Sequence, residues 1–433
     1  MQNTSQGVHT FSFLQRLKED DYFILISDFE KFINGKGEMN CQPIKNKNES
    51  KKIVGWIYTY KNGKGIRWVL YSTKVSHELT IYVIIAIITP KVLIEKNYIT
   101  VSNASDLEQV EVLFNKEAEK ISPILKKFGF SSINRADPGL TIDLEELNYP
   151  CSSEQLMILI KRGDIPKHFI ERLEYKDKDK DKDKSHRKMA DKYSHYLEND
   201  SVVLNYYWKY PKINEKHPEF INKEKFRNVI RLETECKYRK LYSISKSLNR
   251  NSRYCKSYDD IPADELWEMV ENDMRNPSIP IDVMLSDDVS ANVIRSYFNK
   301  VIRKGDYLTL DCARWMVSSH NFRQDKEDRL IFALEKINEC RSIAKAKKKL
   351  HGEEVKEFKR SLKDLDAILV NPVTIPREWK IDYIPNPLRA YYNHITEEQL
   401  VPKIEILFDQ LLAEYLLEAK GYKAHTQSSQ CVL

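Results

Sequence analysis

The residues between Ser201 and Lys240 constrain the fold more than any other stretch: SVVLNYYWKYPKIN, a polar and basic loop, then NVIRLETECKYRK. Both flanks are dense in β-branched and aromatic side chains, which suit a pleated surface, so two strands are predicted. Side chains alternate between the faces of a strand. On the first, Asn205, Tyr207 and Lys209 share one face, while Val203, Leu204, Tyr206 and Trp208 make the run bulky. On the second, Arg231, Glu233, Glu235 and Lys237 share a face, against Ile230, Leu232 and Cys236. Such alternation usually marks no more than a half-exposed strand. A Tyr-x-Lys beside an Arg-x-Glu-x-Glu can also line one polar site.

The flanking sequence gives these strands a setting. Residues 1–50 read as an irregular segment, apart from an apolar patch at Tyr22–Ile26. IVGWIYTY and IRWVLYS around Asn62-Gly63-Lys64-Gly65 predict a hairpin with a short glycine loop. LTIYVIIAIITP has the composition of a buried central strand ending at Pro90. Ser105 and Glu108 read as a capping box. The helix after it carries Leu107, Val110, Phe114, Ala118, Ile121, Leu125 and Phe128 at helical spacing, stopping at Gly129, with Pro123 able to kink its last turn. Ser131 to Leu144 reads as extended, with Arg135, Asp137 and Asp143 on one face. Ser152 and Gln155 open a short helix. The alternating charges of 175–184 have no apolar face and read as a flexible loop. SHYL and VVLNYYWKY around Glu198-Asn199-Asp200 predict a second hairpin. The expected class is α+β: a largely antiparallel sheet with flanking helices over 51–249, then a mainly helical C-terminal region. Within that region 250–370 reads as helical and DNA-binding, and 371–433 as a Pro-rich segment followed by a C-terminal helix.

Composition narrows the function classes. The chain has 433 residues, enough for two or three domains, and a net charge of +6 from 70 basic and 64 acidic residues. That balance suits local basic surfaces better than a histone-like polycation. Its 7 cysteines include no C-x-x-C pair, which argues against zinc ribbons and predicts a reducing, cytoplasmic setting. The sequence shows no secretory signal pattern, and Leu79–Ile88 is about half the length of a membrane-spanning helix. No membrane association is expected.

Phosphate-cradling glycine loops, Gly-x-Ser-x-Gly and His-Glu-x-x-His are all absent, and the 10 histidines stand singly. What remains is carboxylate, tyrosine and base. Asp137, Asp143, Glu233 and Glu235 could gather oxygen ligands for Mg2+ or Mn2+, or be four ordinary strand carboxylates. Tyr207 could be a packing residue or a nucleophile. As a nucleophile its phenol, with a pKa near 10, must lose its proton, and Lys209 on the same face would favour the phenolate. Lys237, Arg239 and Lys240 continue the charged strand. Lys347, Lys348 and Lys349 lie in the densest basic run, on a helix. Runs of this kind neutralise backbone phosphates without reading bases.

Four segments, in this order, resemble the rolling-circle replication initiators: the gene-II-type proteins of filamentous phages and the trans-acting Rep proteins of small plasmids. They are IIAIITPKVL (Ile84 to Leu93), Arg135-Ala136-Asp137, Tyr207-Trp208-Lys209 and Arg231-Leu232-Glu233. A weaker likeness covers Trp379 to Pro387. The resemblance implies a nucleophile at Tyr207, with Lys209 steadying charge, and metal ligands at Asp137 and Glu233. It also implies Arg135 and Arg231 on the flanking phosphates. The implied reaction nicks one strand of origin DNA, double-stranded with an extruded or melted single strand at the nick. It leaves a 5′-phosphotyrosine and a 3′-hydroxyl, which a host polymerase extends while a host helicase opens the duplex. A homodimer is compatible with this reading. The sequence departs from the family where relatives often carry a glutamate, at Ile85 and Ile87. It also departs at Pro138-Gly139, which predicts a bulged or edge strand. A conjugative relaxase with the same chemistry, or a non-catalytic DNA-binding regulator on the same scaffold, are the alternatives.

Overall fold

The computed structural model describes residues 4–33, 39–45, 53–61, 64–74, 79–95, 100–128, 132–172, 193–216, 223–251, 285–395 and 407–417. The charged loop at 175–184 and the helix expected over Ala263–Met274 lie outside the described residues. The sheet elements are β1 (Ser5–Leu17), β2 (Asn40–Lys45), β3 (Ile53–Lys61), β4 (Ile66–Lys74), β5 (Thr80–Ile88), β6 (Ser132–Asp143), β7 (Ile170–Arg172), β8 (Ser194–Glu198), β9 (Val202–Trp208) and β10 (Val229–Lys237). They form one 10-stranded sheet in the order β2-β3-β4-β5-β1-β6-β10-β9-β8-β7, and each pairing is antiparallel. Both predicted hairpins are present. The class is α+β, as expected, with a helical C-terminal region.

The irregular segment expected at the N-terminus is instead the strand that joins the two halves of the sheet. β1 pairs with β5 on one side and β6 on the other. Its face alternation is interrupted by register shifts between Val8 and Thr10 and between Ser12 and Phe13, which blunt a period-two pattern. Helix α1 (Glu19–Ile33) follows it, opening with Glu19, Asp20 and Asp21, a charge that suits a helix N-terminus.

One face of the sheet is apolar across its central strands. Phe11 and Phe13 of β1, Trp68 and Leu70 of β4, and Ile84, Ala86 and Ile88 of β5 pack against α1 and α3 (Leu107–Ile121), with the short α2 (Pro90–Glu95) leading into the connection. Phe13 meets Phe114 and Phe128 edge-on, at ring distances of 5.8 and 5.0 Å. Helix α3 is capped not by Ser105 and Glu108 but by a preceding short turn, in which Asn103 and Asp106 form the reciprocal box. It ends at Ile121, ahead of Pro123. Helix α4 (Ser153–Lys161) has the expected Ser152–Gln155 box.

Farther along the same face the core changes partners. Leu140, Ile142, Leu204, Tyr206, Ile230 and Leu232 form one cluster with residues of the C-terminal region, among them Ile294, Phe298, Ile337, Phe358, Leu362 and Val373. The remaining elements are α5 (Lys209–Lys216), α6 (Tyr238–Asn251), α7 (Asp287–Val301), β11 (Tyr307–Leu308), α8 (Leu310–Ser319), α9 (Gln324–Cys340), α10 (Ile343–Lys349), α11 (Glu353–Ala367), β12 (Tyr383–Ile384) and α12 (Pro387–Ile395). The C-terminal region has its own polar hub at Asp306. This fully buried carboxylate accepts from the Tyr383 hydroxyl at 2.9 Å and the Asn386 amide at 2.7 Å, and pairs with Arg389. No helix among the described residues is long and apolar enough to cross a membrane.

Candidate functional site

With one face of the sheet committed to the core, the charged residues of β6, β9 and β10 collect on the other. In register, Tyr207 lies opposite Arg231 and Asn205 opposite Glu233, while Glu233 lies opposite Gly139 of β6. Cross-strand partners share a face, so Tyr207, Glu233 and Asp137 are on the same side.

Glu233 is the centre of this arrangement. Its Oε1 accepts the Tyr207 hydroxyl at 2.8 Å and lies 3.4 Å from the Arg231 guanidinium and 3.2 Å from His9 Nε2. Its Oε2 accepts from the Asn205 amide at 3.2 Å. Burial works against charge on this carboxyl, but His9, Arg231, Lys212 and the Tyr207 hydroxyl outweigh it and hold its pKa at about 2. Burial also brings the His9 imidazole down to about 4, so near neutral pH the ring beside the carboxylate is uncharged.

Gly139 lies between His9 and Glu233. Their strands, β1 and β10, are separated by β6, and a Cβ on Gly139 would sit 3.3 Å from Val101, 3.7 Å from Glu233 and 3.7 Å from His9. The glycine leaves a gap over the middle strand through which the two side chains meet. Pro138 pairs with Val8 where the β1–β6 register slips. A proline, lacking an N–H, is tolerated at such an irregularity. The Pro138-Gly139 pair therefore sits beside a bulge, as predicted, but in the interior of the sheet and not at its edge.

Asp137 belongs to a second cluster. Arg135 binds it through two nitrogens, at 2.8 and 2.6 Å, and reaches Glu235 at 3.0 Å. Asp137 is 5% exposed, and burial, opposed by Arg135, raises its carboxyl to about 7. Tyr207 is two strands away and about four residues along, roughly 17 Å between Cα atoms from sheet spacing. Asp143 lies at the other end of β6, where it caps a turn by accepting the Glu145 amide at 3.0 Å. Asp137, Asp143, Glu233 and Glu235 thus do not converge. Among the described residues no group of three or more His, Cys, Asp or Glu side chains is arranged to hold a metal ion. Asp137 and Glu235 are taken by Arg135, and Glu233 by Arg231, Tyr207 and Asn205, with His9 alongside. The residues as arranged do not fit a Mg2+ or Mn2+ cage.

Several other expectations shift with the tertiary structure. Lys209 does not extend the strand; it begins α5 and is 3% exposed, with its pKa driven well below the ordinary ammonium value by burial and by Arg231. Burial thus disfavours the positive charge with which Lys209 would support a Tyr207 phenolate. Burial and the Glu233 charge hold the Tyr207 phenol well above its usual value. The group that does contact Tyr207 is Lys212, its ammonium 4.0 Å from the ring centre and 2.6 Å from the Tyr196 hydroxyl. Arg231 is fully buried, donating also to the Thr100 carbonyl at 3.3 Å, and is not placed to hold a flanking phosphate. Lys237 ends β10, whereas Arg239 and Lys240 lie in α6 and not on a strand. In the basic run, Lys347 pairs with Asp164 and Lys349 with Glu339, while Lys348 faces a cleft. His9, Lys212 and Gly139 were not legible as site residues, because each acquires its role from a contact distant in sequence.

No family model matches this chain, and no curated protein or solved structure matches it.

Proposed function

We propose that the chain is a tyrosine strand transferase acting on DNA, of the kind that starts rolling-circle replication, with Tyr207 as nucleophile. The observation that carries this reading is the Tyr207 hydroxyl donating to the Glu233 carboxylate on a polar sheet face beside Lys212. In the reaction, the Tyr207 oxygen attacks the phosphorus of one phosphodiester as its proton moves, by way of the Glu233 carboxylate, toward the departing 3′ oxygen. The bond to the 3′ oxygen breaks, and that oxygen leaves as a hydroxyl after taking up a proton. The phosphate stays on Tyr207 as an ester, which preserves the bond for rejoining. His9, Asn205 and Arg231 position Glu233, and no step is routed through a metal ion. A conjugative relaxase would use the same chemistry on a transfer origin.

The second reading, a DNA-binding regulator without catalysis, is favoured by Tyr207 being only 7% exposed with its phenol harder to ionise than usual. One experiment separates the two. Purified protein is incubated with supercoiled DNA carrying the replicon's own origin, with magnesium or with a chelator, and the products are resolved under denaturing conditions. A covalent protein–DNA adduct that disappears in Tyr207→Phe supports the transferase. Tight, salt-dependent binding with no nick in either condition supports the regulator.

A further inference from the structure

On the opposite side of the sheet from Tyr207, a cleft of about 510 Å³ opens between the end of α4, the β8–β9 edge and α10. Its walls carry Lys161, Arg162, Arg341, Lys345 and Lys348 against two acids, Asp164 and Glu171. Asp164 is already neutralised by Lys347. Arg162, Arg341, Lys345 and Lys348 form no ion pair with any described residue, and burial followed by Arg341 disfavours the Arg162 charge, with Glu378 opposing. The basic side chains are brought together where the Ile343 amide donates to the Arg162 carbonyl at 2.9 Å and ties α10 to the end of α4.

The floor of the cleft is aromatic. His195 lies flat on Tyr206, ring centres 4.9 Å apart and planes within 14°. Burial lowers the His195 imidazole to about 4, with Lys161 adding to the effect, so this ring, 10% exposed and 3.5 Å from Glu171, is uncharged near neutral pH. One acceptor is also left over: the Oδ1 oxygen of Asp164, a residue 6% exposed, has no hydrogen-bond partner. A buried oxygen without a donor is costly unless a bound group supplies one.

We propose that this cleft binds a phosphate-bearing nucleotide. The phosphates lie against Arg162, Arg341, Lys345 and Lys348, the base against the His195–Tyr206 stack, and a ligand N–H or O–H reaches Asp164. The volume suits a mononucleotide, within the roughly 300–1,000 Å³ of small-ligand sites. An aromatic platform beside clustered cations is the combination that nucleotides select, whether free or within a single strand. Tyr206 and Tyr207 are adjacent residues of one strand and point to opposite faces. The site therefore stands apart from the nicking chemistry and does not depend on it.

The test is calorimetric titration of the full chain at low salt with ADP, with pyrophosphate and with a twelve-residue oligothymidylate. ADP or the oligonucleotide is expected to bind, and the double variant Lys345→Ala/Lys348→Ala to weaken binding at least tenfold. Both lysines are exposed on α10, so an unchanged melting temperature will show the fold intact. His195→Ala is expected to weaken ADP while leaving pyrophosphate unaffected, and binding is expected to persist in Tyr207→Phe. ADP that the oligonucleotide does not displace identifies a free nucleotide as the ligand; an oligonucleotide that displaces ADP identifies a strand. Absence of binding by both, or affinities unchanged in the double variant, overturns the proposal. Pyrophosphate binding as tightly as ADP overturns the role given to the stack.

Discussion

Replacing Glu233 by glutamine removes the charge on which the polar face is built while keeping the side chain's length. The parent carboxyl has a pKa of about 2 against 4.5 in the unfolded chain, a difference that corresponds to about 3 kcal/mol of stability. Because the folded pKa is depressed, this stability is fully present above pH 4.5 and is lost as pH falls through about 2. Glu233→Gln also leaves the fully buried Arg231 beside a neutral amide, and an unpaired buried charge costs on the order of 3–5 kcal/mol. The two figures describe overlapping effects and are not summed. Urea denaturation of both proteins from pH 7 to pH 2 reads them directly. The expected result is a variant about 3 kcal/mol less stable at pH 7, with the gap closing as the parent is acidified. A variant as stable as the parent at pH 7, or two curves that fall in parallel with acid, would refute the electrostatic account of Glu233.

Gly139→Val places a branched side chain in the gap between His9 and Glu233, with Val101 already 3.3 Å from the first added carbon. A loss of about 1–3 kcal/mol is expected from overpacking, read as a lower melting temperature. Asp137→Asn is expected to flatten the pH dependence of stability. The parent carboxyl is raised to about 7 from 3.8, so its contribution is full below about pH 4 and is lost as pH rises through 7. A stability profile identical to that of the parent between pH 4 and 8 would contradict this. Asp306→Ala removes the buried partner of Arg389, which keeps Asp409 at 3.1 Å, and takes the acceptor from the Tyr383 hydroxyl and the Asn386 amide, at a cost of about 1–3 kcal/mol in denaturant titration.

The strand at the bottom of the candidate site was legible because its chemistry is local. Asn205, Tyr207, Arg231, Glu233 and Glu235 share a face as alternation requires, and the β9–β10 pairing sets them opposite one another. Alternation failed at the strand ends. Lys209 has the spacing of a strand residue but enters α5, since Tyr210-Pro211 permits a helix start within one residue. Nothing within ten residues of His9 marks it as a partner of Glu233, which is more than two hundred positions away. The carboxylates gave the most misleading signal. Their spacing fits a cation site, but the competing bids of Arg135 and Arg231 for the same oxygens depend on which rungs lie side by side.

The sequence alone determined the α+β class, the two hairpins, the α4 cap and the polar face of β9 and β10, because propensity, alternation and capping act over a few residues. Only the tertiary structure decided that β1 joins the halves of the sheet, that Gly139 lies between His9 and Glu233, and that α10 closes a basic cleft over His195. Those outcomes come from pairing and packing between residues far apart in the chain. There the free energy of a contact depends on what else is buried beside it, and no local pattern carries that information.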